Sequence, residues 1–451
     1  ISLEVAPPSL TKKLQCLLDI FAFPTDILIQ FDCFISSHAF LFIGFLMFYS
    51  IPDSVIGSKN PINLINTLTM KSVLIMNIFL LFSFLSINTI YLLLALLFSS
   101  IFFIINKRSY FVLNFNLKIF FIVIYTFLIS IVMANELEFG WDAKFFWFLK
   151  TINFYQNNDL LSLGKLPATD YPHLGVYIWS FFWKFPFNAY EYLGRIFYVS
   201  IYVLSIFYFC EIFKTSNLYK IILSSLIIIT SYSGELFSGN QEVLVFSLVL
   251  ISTKLSYEIL SKKNINPITN IIFLLLLFNA AIWIKNEGVF FVGFMLFLVL
   301  ILSNITLGQK KILFIASASL IILRISIFVL LDTSLESFQF DKTLNFAHFE
   351  NLFTNIKIIS FYFIVYMVSL PLILVGLILI VYNFYTFKVD KTQIFIICYM
   401  ILNLIFIFAA FIFSFENVEW QVRVGLKRVM FETSGFYLLT VAYLFNKNQI
   451  K

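Results

Sequence analysis

Charge is what this sequence of 451 residues has least of. Only 12% of its residues are charged, whereas 61% are hydrophobic and the mean hydropathy is +0.96. A soluble globule of this size needs more polar surface than that, so the composition excludes one and dissolves the chain in lipid. Cysteine is nearly as scarce. Cys16, Cys33, Cys210 and Cys398 lie scattered among apolar residues without CxxC spacing, which indicates neither a disulfide framework nor a thiolate metal site. With 14 glycines and no Gly-rich phosphate fingerprint, nucleotide chemistry is not indicated either. The short alternating segments of a transmembrane barrel are missing. Residues 1–13 are a polar lead-in without the features of a cleavable signal peptide.

What is present is a series of apolar runs of about 16 to 28 residues, many bounded by Lys or Arg, which is the length at which a helix crosses a hydrocarbon core. They fall near 36–51, 72–87, 89–106, 116–134, 189–212, 219–233, 242–260, 267–284, 288–305, 311–331, 356–383 (with Pro371 inside), 393–414 and 431–446. Segment 14–31 is ambiguous because it carries Asp19, Pro24 and Asp26, and 174–185 is short. The expectation is an all-α polytopic membrane protein of about 12 to 14 transmembrane helices. Residues 1–115 form N-terminal membrane helices and 116–451 the catalytic region, in one continuous membrane domain.

The net charge of +6 does not point to nucleic acid, because the basic residues sit in short loops between the runs. Lys107 with Arg108, Lys214 with Lys220, Lys262 with Lys263, Lys310 with Lys311, Lys388 with Lys391, and Lys447 with Lys451 all fall on one side if the helices alternate. That side is cytoplasmic by the positive-inside rule. Segments 135–174, 234–242, 285–288, 332–355 and 415–430 then share the extracytoplasmic face, together with nearly all the acidic clusters. Abundant Ile, Phe, Asn and Lys fits a bacterial inner membrane.

Residues 135–174 organise that face. Phe145, Phe148, Leu149 and Ile152 recur at i, i+3, i+4 and i+7, which predicts an amphipathic helix lying in the interface of the first large extracytoplasmic loop. Asp142 stands at its start, either as an N-cap or as a general base on an acceptor hydroxyl. Glu136 and Glu138 share that role or bind a divalent cation, Mg or Mn, through oxygen ligands. No cofactor beyond such a cation is indicated. Trp141 and Trp147 are interfacial anchors or, for Trp141, a substrate contact.

The pieces GWDAKFFWFLK (140–150), DYPHLG (170–175), YEYLGRIF (190–197), KNEG (285–288) and EWQVRVGLKRVMF (419–431) occur in this order on one face. Together they resemble the outer-loop elements of the C-type glycosyltransferase superfold, GT-C, over roughly 116–446. They are similar to the W-D-A … D-Y-P-x-L pattern of its bacterial members. Many members have Asp-Glu where this chain has Asp142-Ala143, and Pro-Pro where it has Pro172-His173. The helices before 116 also exceed the single one that commonly precedes the first outer loop.

The resemblance implies a lipid-linked sugar donor, a glycan or lipid acceptor, and Arg428 as ligand of the leaving phosphate. Arg423, Lys427 and Arg428 break the charge rule, as does Lys285, so an anionic ligand is expected there. Lys285 is read as a donor-phosphate contact and Glu287 as its orienting partner or a sugar contact. His173 is a phosphate or sugar contact, or a plain loop residue. Glu235 and Glu242 cap the next helix, or Asn240 and Glu242 touch the acceptor. Trp141, Lys144, Tyr171 and Trp420 complete the candidate substrate contacts. The expected activity is inverting transfer of a sugar from a polyprenyl phosphate to an acceptor hydroxyl. The alternatives are a polymerase or ligase using a lipid diphosphate, and a lipid-linked sugar flippase.

Overall fold

The computed structural model describes residues 64–106, 117–135, 139–157, 159–169, 171–185, 190–261, 267–331, 351–412 and 417–448. Among these residues all regular structure is helical. The helices are α1 (Leu64–Phe84), α2 (Thr89–Asn106), α3 (Leu117–Asn135), α4 (Phe148–Tyr155), α5 (Leu174–Lys184), α6 (Ile196–Cys210), α7 (Asn217–Ser231), α8 (Glu242–Leu260) and α9 (Pro267–Ile284). They continue as α10 (Gly288–Leu302), α11 (Leu307–Leu330), α12 (Leu352–Ser369), α13 (Pro371–Thr386), α14 (Lys391–Ile412), α15 (Val418–Gln421), α16 (Lys427–Ser434) and α17 (Leu438–Asn448). The runs expected at 14–31 and 36–51 lie outside the described residues.

Among the described residues seven helices are long and apolar enough to cross a membrane: Leu64–Phe84, Leu117–Ala134, Glu191–Cys210, Glu242–Leu260, Leu307–Leu330, Leu352–Ser369 and Lys391–Ile412. The chain is therefore an all-α membrane protein. Its layering follows from sequence polarity. Helix α6 is apolar all round and buries every one of its residues, as a helix at the centre of a bundle must. Helix α8, almost as fully buried, packs against α6, α9, α10 and α16. Helix α11 buries only Leu313 and Arg324; Leu320, Ile327 and Phe328 lean on the core, and most of its other apolar side chains are exposed. Outward apolar side chains on a long helix are the expected lipid contact.

The run 356–383 is not one helix. The chain breaks at Leu370 (φ −116°, ψ 84°) into α12 and α13, and Pro371 opens the second. Proline disfavours helical geometry in the residue before it and lacks the N–H that an interior turn requires, yet it fits a first helical position.

The amphipathic element after Asp142 begins as a π turn, Ala143–Trp147, and continues as α4. Ala143, Trp147, Thr151 and Phe154 face the protein, whereas Trp141, Phe145 and Leu149 are exposed. Phe145 and Leu149 of the apolar stripe are thus offered outward, Phe148 packs on Phe139 and Trp183, and the small and aromatic side chains of the other face seat the element on α5. Lys150 is buried with that second face, where its ammonium donates to the carbonyls of Ala168 (2.6 Å) and Tyr171 (2.7 Å) and pins the following loop.

The two ends of the bundle carry different ion pairs. At one end Glu211 accepts from Lys118 (2.5 Å) and Lys220 (2.8 Å), and Lys447 meets Asp390 at 2.9 Å. The other end holds Asp142, Glu242, Lys285 and Arg428.

Candidate functional site

Two loops meet first. The N–H of Gly140 donates to the carbonyl of Ser238 (2.8 Å), joining the lead into Asp142 to the lead into α8. A Cβ on Gly140 would stand 2.7 Å from the Asn240 amide nitrogen, so any larger residue here must push the Asn240 side chain aside. Gly239 turns the second loop with φ +75°, a left-handed conformation that glycine adopts without cost. Arg195 fastens the arrangement from behind. Its guanidinium grips Glu191 through two hydrogen bonds of 2.9 Å, donates to the carbonyl of Phe237, and lies 5.0 Å from the Phe139 ring. That bidentate fork explains an arginine here, since an ammonium could not reach these partners in one plane.

On this platform Asp142 does not act as a helix cap. Its own backbone is helical, and its side chain makes no capping hydrogen bond. Its carboxylate instead meets Arg428, with Oδ2 2.7 Å from Nη1. The same Nη1 is 3.7 Å from Oε1 of Glu242, the first residue of α8. Oε1 of Glu242 is in turn 3.1 Å from Nζ of Lys285 in the turn between α9 and α10. Lys285 also reaches Glu432 (2.5 Å) and Glu287 (3.4 Å). Residues from four distant stretches thus form one ionic chain, Asp142–Arg428–Glu242–Lys285–Glu432, with Glu287 as a branch.

Exposure grades along it. Asp142, Arg428 and Glu287 keep 19%, 17% and 23% of their side-chain surface, whereas Glu242 and Glu432 keep 1% and 0%. The chain therefore runs from an accessible rim to a sealed interior. Glu235 lies within electrostatic reach of Glu242, Arg428 and Lys285, and its Oε2 accepts from the Asn240 side-chain amide at 3.2 Å. Burial, and then the Glu242 carboxylate, push the Glu235 carboxyl above its ordinary value. Burial works against a charged Lys285, but Glu242, Glu287 and Glu432 outweigh it and hold the ammonium well above its ordinary value.

The chain is incompletely satisfied. Glu242 Oε2, Glu287 Oε2, Glu432 Oε2, Asn240 Oδ1 and Arg428 Nε are buried without a hydrogen-bond partner among the described residues. Leaving buried polar atoms unpaired is costly, so such a concentration marks a site shaped for something else. Four of these five atoms are acceptors, which suits a ligand rich in hydroxyl donors.

Of the residues expected at the site, Asp142, Glu242, Lys285, Glu287 and Arg428 come together, and Asn240 stands beside them. Glu136 and Glu138 lie outside the described residues. Among the described residues no group of three or more acids, histidines or cysteines is arranged to hold a metal ion. The acids of the cluster face Lys285 and Arg428 instead.

His173 lies elsewhere, enclosed by the rings of Phe84, Phe154 and Trp283, with Nε2 2.9 Å from the Ser83 hydroxyl. Burial, then Lys150 and Arg324, push its pKa down to about 3, so it is neutral and offers no charge to a phosphate. Arg423 pairs with Glu419 (2.5 Å) and the Tyr362 hydroxyl (2.6 Å) on an exposed surface. Trp420 is exposed beside it. Trp141 packs on Phe145, Lys144 lies over the same ring, and Tyr171 stacks on Phe146.

Sequence reasoning missed Glu432, although its signal was available: it follows Arg428 by one helical turn. It also missed Glu235 as a member of the cluster, and Arg324. Arg324 is the single charge in the apolar part of α11 and donates to the Asn286 side chain next to Lys285. No family model matches this chain, and no curated protein or solved structure matches it.

Proposed function

We propose that the protein is an inverting membrane glycosyltransferase of GT-C type, taking a sugar from a polyprenyl-phosphate donor to the hydroxyl of a glycan, lipid or protein acceptor. The observation that carries this reading is the contact of Asp142 with Arg428 at an accessible rim, backed by buried, unpartnered acceptor oxygens. Arg428 takes the phosphate, for which a guanidinium is the fitting partner. Asp142 takes the proton of the acceptor hydroxyl as its oxygen bonds to the anomeric carbon. The bond from that carbon to the phosphate oxygen breaks on the opposite face, and the phosphate leaves with the electron pair under the positive field of Arg428.

Lys285 has three carboxylates around it, so it serves as the hub that holds Glu242, Glu432 and Glu287 rather than as a phosphate ligand. Glu287 Oε2 and Asn240 Oδ1 accept from sugar hydroxyls. Positive-inside logic assigns the site to the extracytoplasmic face of a bacterial inner membrane, where a lipid donor enters sideways. The test is transfer of radiolabelled sugar from membranes supplied with polyprenyl-phosphate sugar. Asp142→Asn and Arg428→Gln should each stop it, and a folded Asp142→Asn protein that still transfers would remove the base assignment.

A flippase is the second reading, favoured by Lys254. This lysine is buried within α8, 2.9 Å from the Asn66 side chain and over the Tyr208 ring, and charges inside spanning helices commonly line transport paths. Movement of lipid-linked sugar across proteoliposomes without a covalent product would favour it.

A further inference from the structure

Asp142 and Arg428 reach each other from far apart in the sequence, and each stands beside a π turn. One, Ala143–Trp147, begins directly after Asp142, and the other, Val422–Leu426, ends just before Lys427 and Arg428. Isolated π turns are rare and recur at functional sites. Here one lies on each side of a single ion pair.

A guanidinium binds carboxylate and phosphate through the same planar arrangement of N–H groups. Arg428 Nη1 already holds Asp142 at 2.7 Å, at a rim where both side chains remain partly open. The geometry points to a self-occupied anion seat: in the resting protein Asp142 fills the place at Arg428 that a lipid phosphate headgroup takes, and the headgroup must displace it before Asp142 can receive a proton. This rests on the reading of Arg428 as phosphate ligand. Glu242 stays behind, 3.7 Å from the same nitrogen, so Arg428 keeps one carboxylate partner when Asp142 leaves and does not swing away. The displaced Asp142 has the exposed side of the site to turn to, where the acceptor arrives. The consequence is a compulsory order, donor before acceptor, which also prevents the base from activating water at an empty site.

Self-occupation lowers the apparent affinity for the donor by the fraction of time the seat is open. Removing Asp142 therefore strengthens binding while it abolishes transfer. The experiment measures binding of polyprenyl phosphate, polyprenol and inorganic phosphate to the full chain in nanodiscs. The expected result is that Asp142→Asn binds polyprenyl phosphate about tenfold more tightly than the wild type, while Arg428→Gln loses the preference over polyprenol. Equal or weaker binding by Asp142→Asn, with Arg428→Gln impaired, would sink the self-occupied seat and leave the phosphate ligand standing. Arg428→Gln binding like the wild type would sink the phosphate assignment itself.

A second measurement uses only the wild type, so misfolded variants cannot blur the outcome. Carbodiimide labelling of Asp142, read by mass spectrometry, should rise with polyprenyl phosphate and stay flat with polyprenol. Labelling that stays flat with polyprenyl phosphate would overturn displacement. An equal rise with inorganic phosphate at the same concentration would overturn the lipid headgroup as the occupant.

Discussion

The two ends of the bundle solve the problem of charge near a membrane in opposite ways. Around Glu211 two lysines share one acid, and both carboxylate oxygens are used. Burial works against the ionised form of Glu211, but the hydrogen bonds from Lys118 and Lys220 outweigh it and hold the carboxyl below its ordinary value. Around Lys285 and Arg428 the balance reverses. Asp142, Glu235, Glu242, Glu287 and Glu432 outnumber the two cations, oxygen atoms are left over, and Glu235 is pushed up rather than down. The first network is closed and joins α3, α6 and α7. The second has spare capacity and an accessible rim. In a chain this poor in charge, unspent hydrogen-bonding capacity distinguishes a working site from a fastening better than the number of ion pairs does.

The largest effect that would sharpen this contrast comes from Lys285→Met. It leaves Glu432 buried without its cation and Glu242 with Arg428 alone at 3.7 Å, at about 3–5 kcal/mol. Folded protein should largely disappear from membranes, as measured by detergent-resistant abundance, and Lys285→Met with Glu432→Gln should recover part of it. Next, Asp142→Asn should lower sugar transfer by about 10²–10⁴-fold at unchanged abundance, which is the range expected for loss of a general base. Glu211→Gln should do the reverse: transfer persists, while the protein loses about 1–2 kcal/mol. Lys118 and Lys220 stand at helix ends, where their long stems can carry the freed charges to water. Equal loss of activity from Glu211→Gln and Asp142→Asn would break the distinction between the two ends.

A last effect is one of pH, absent near neutrality. His173 is neutral in the fold down to about 3, whereas an unfolded histidine takes a proton near its usual 6.5. The unfolded state thus binds more protons below that value, and this contribution to stability is lost as pH falls from about 6.5. His173→Asn should flatten the pH dependence of thermal inactivation between about 6.5 and 4.

Much of this architecture is legible in the sequence. Apolar run length gives the helices, because a membrane leaves the backbone little alternative. Lys285 and Arg428 stand out because each is a cation where topology supplies no reason for one, and Asp142 because it opens the amphipathic stripe. What the sequence hides is pairing. Nothing in KNEG shows that Lys285 faces Glu432 as well as its neighbour Glu287, and Glu432 reads as part of an apolar run. The break at Leu370 was misjudged because Pro371 sits within an unbroken apolar stretch, where composition outweighs one residue's backbone preference. His173 looked like a loop residue or ligand, since its aromatic enclosure comes from Phe84, Phe154 and Trp283, which no local pattern unites.

Arg195 touches neither Asp142 nor Arg428, yet both loops that frame them depend on its hold on Glu191 and Phe237. In any survey of inactive variants, Arg195 would score as severely as the reacting groups. Genetic indispensability here would report the rigidity of a frame, and only a probe of the bound ligand would separate frame from participant.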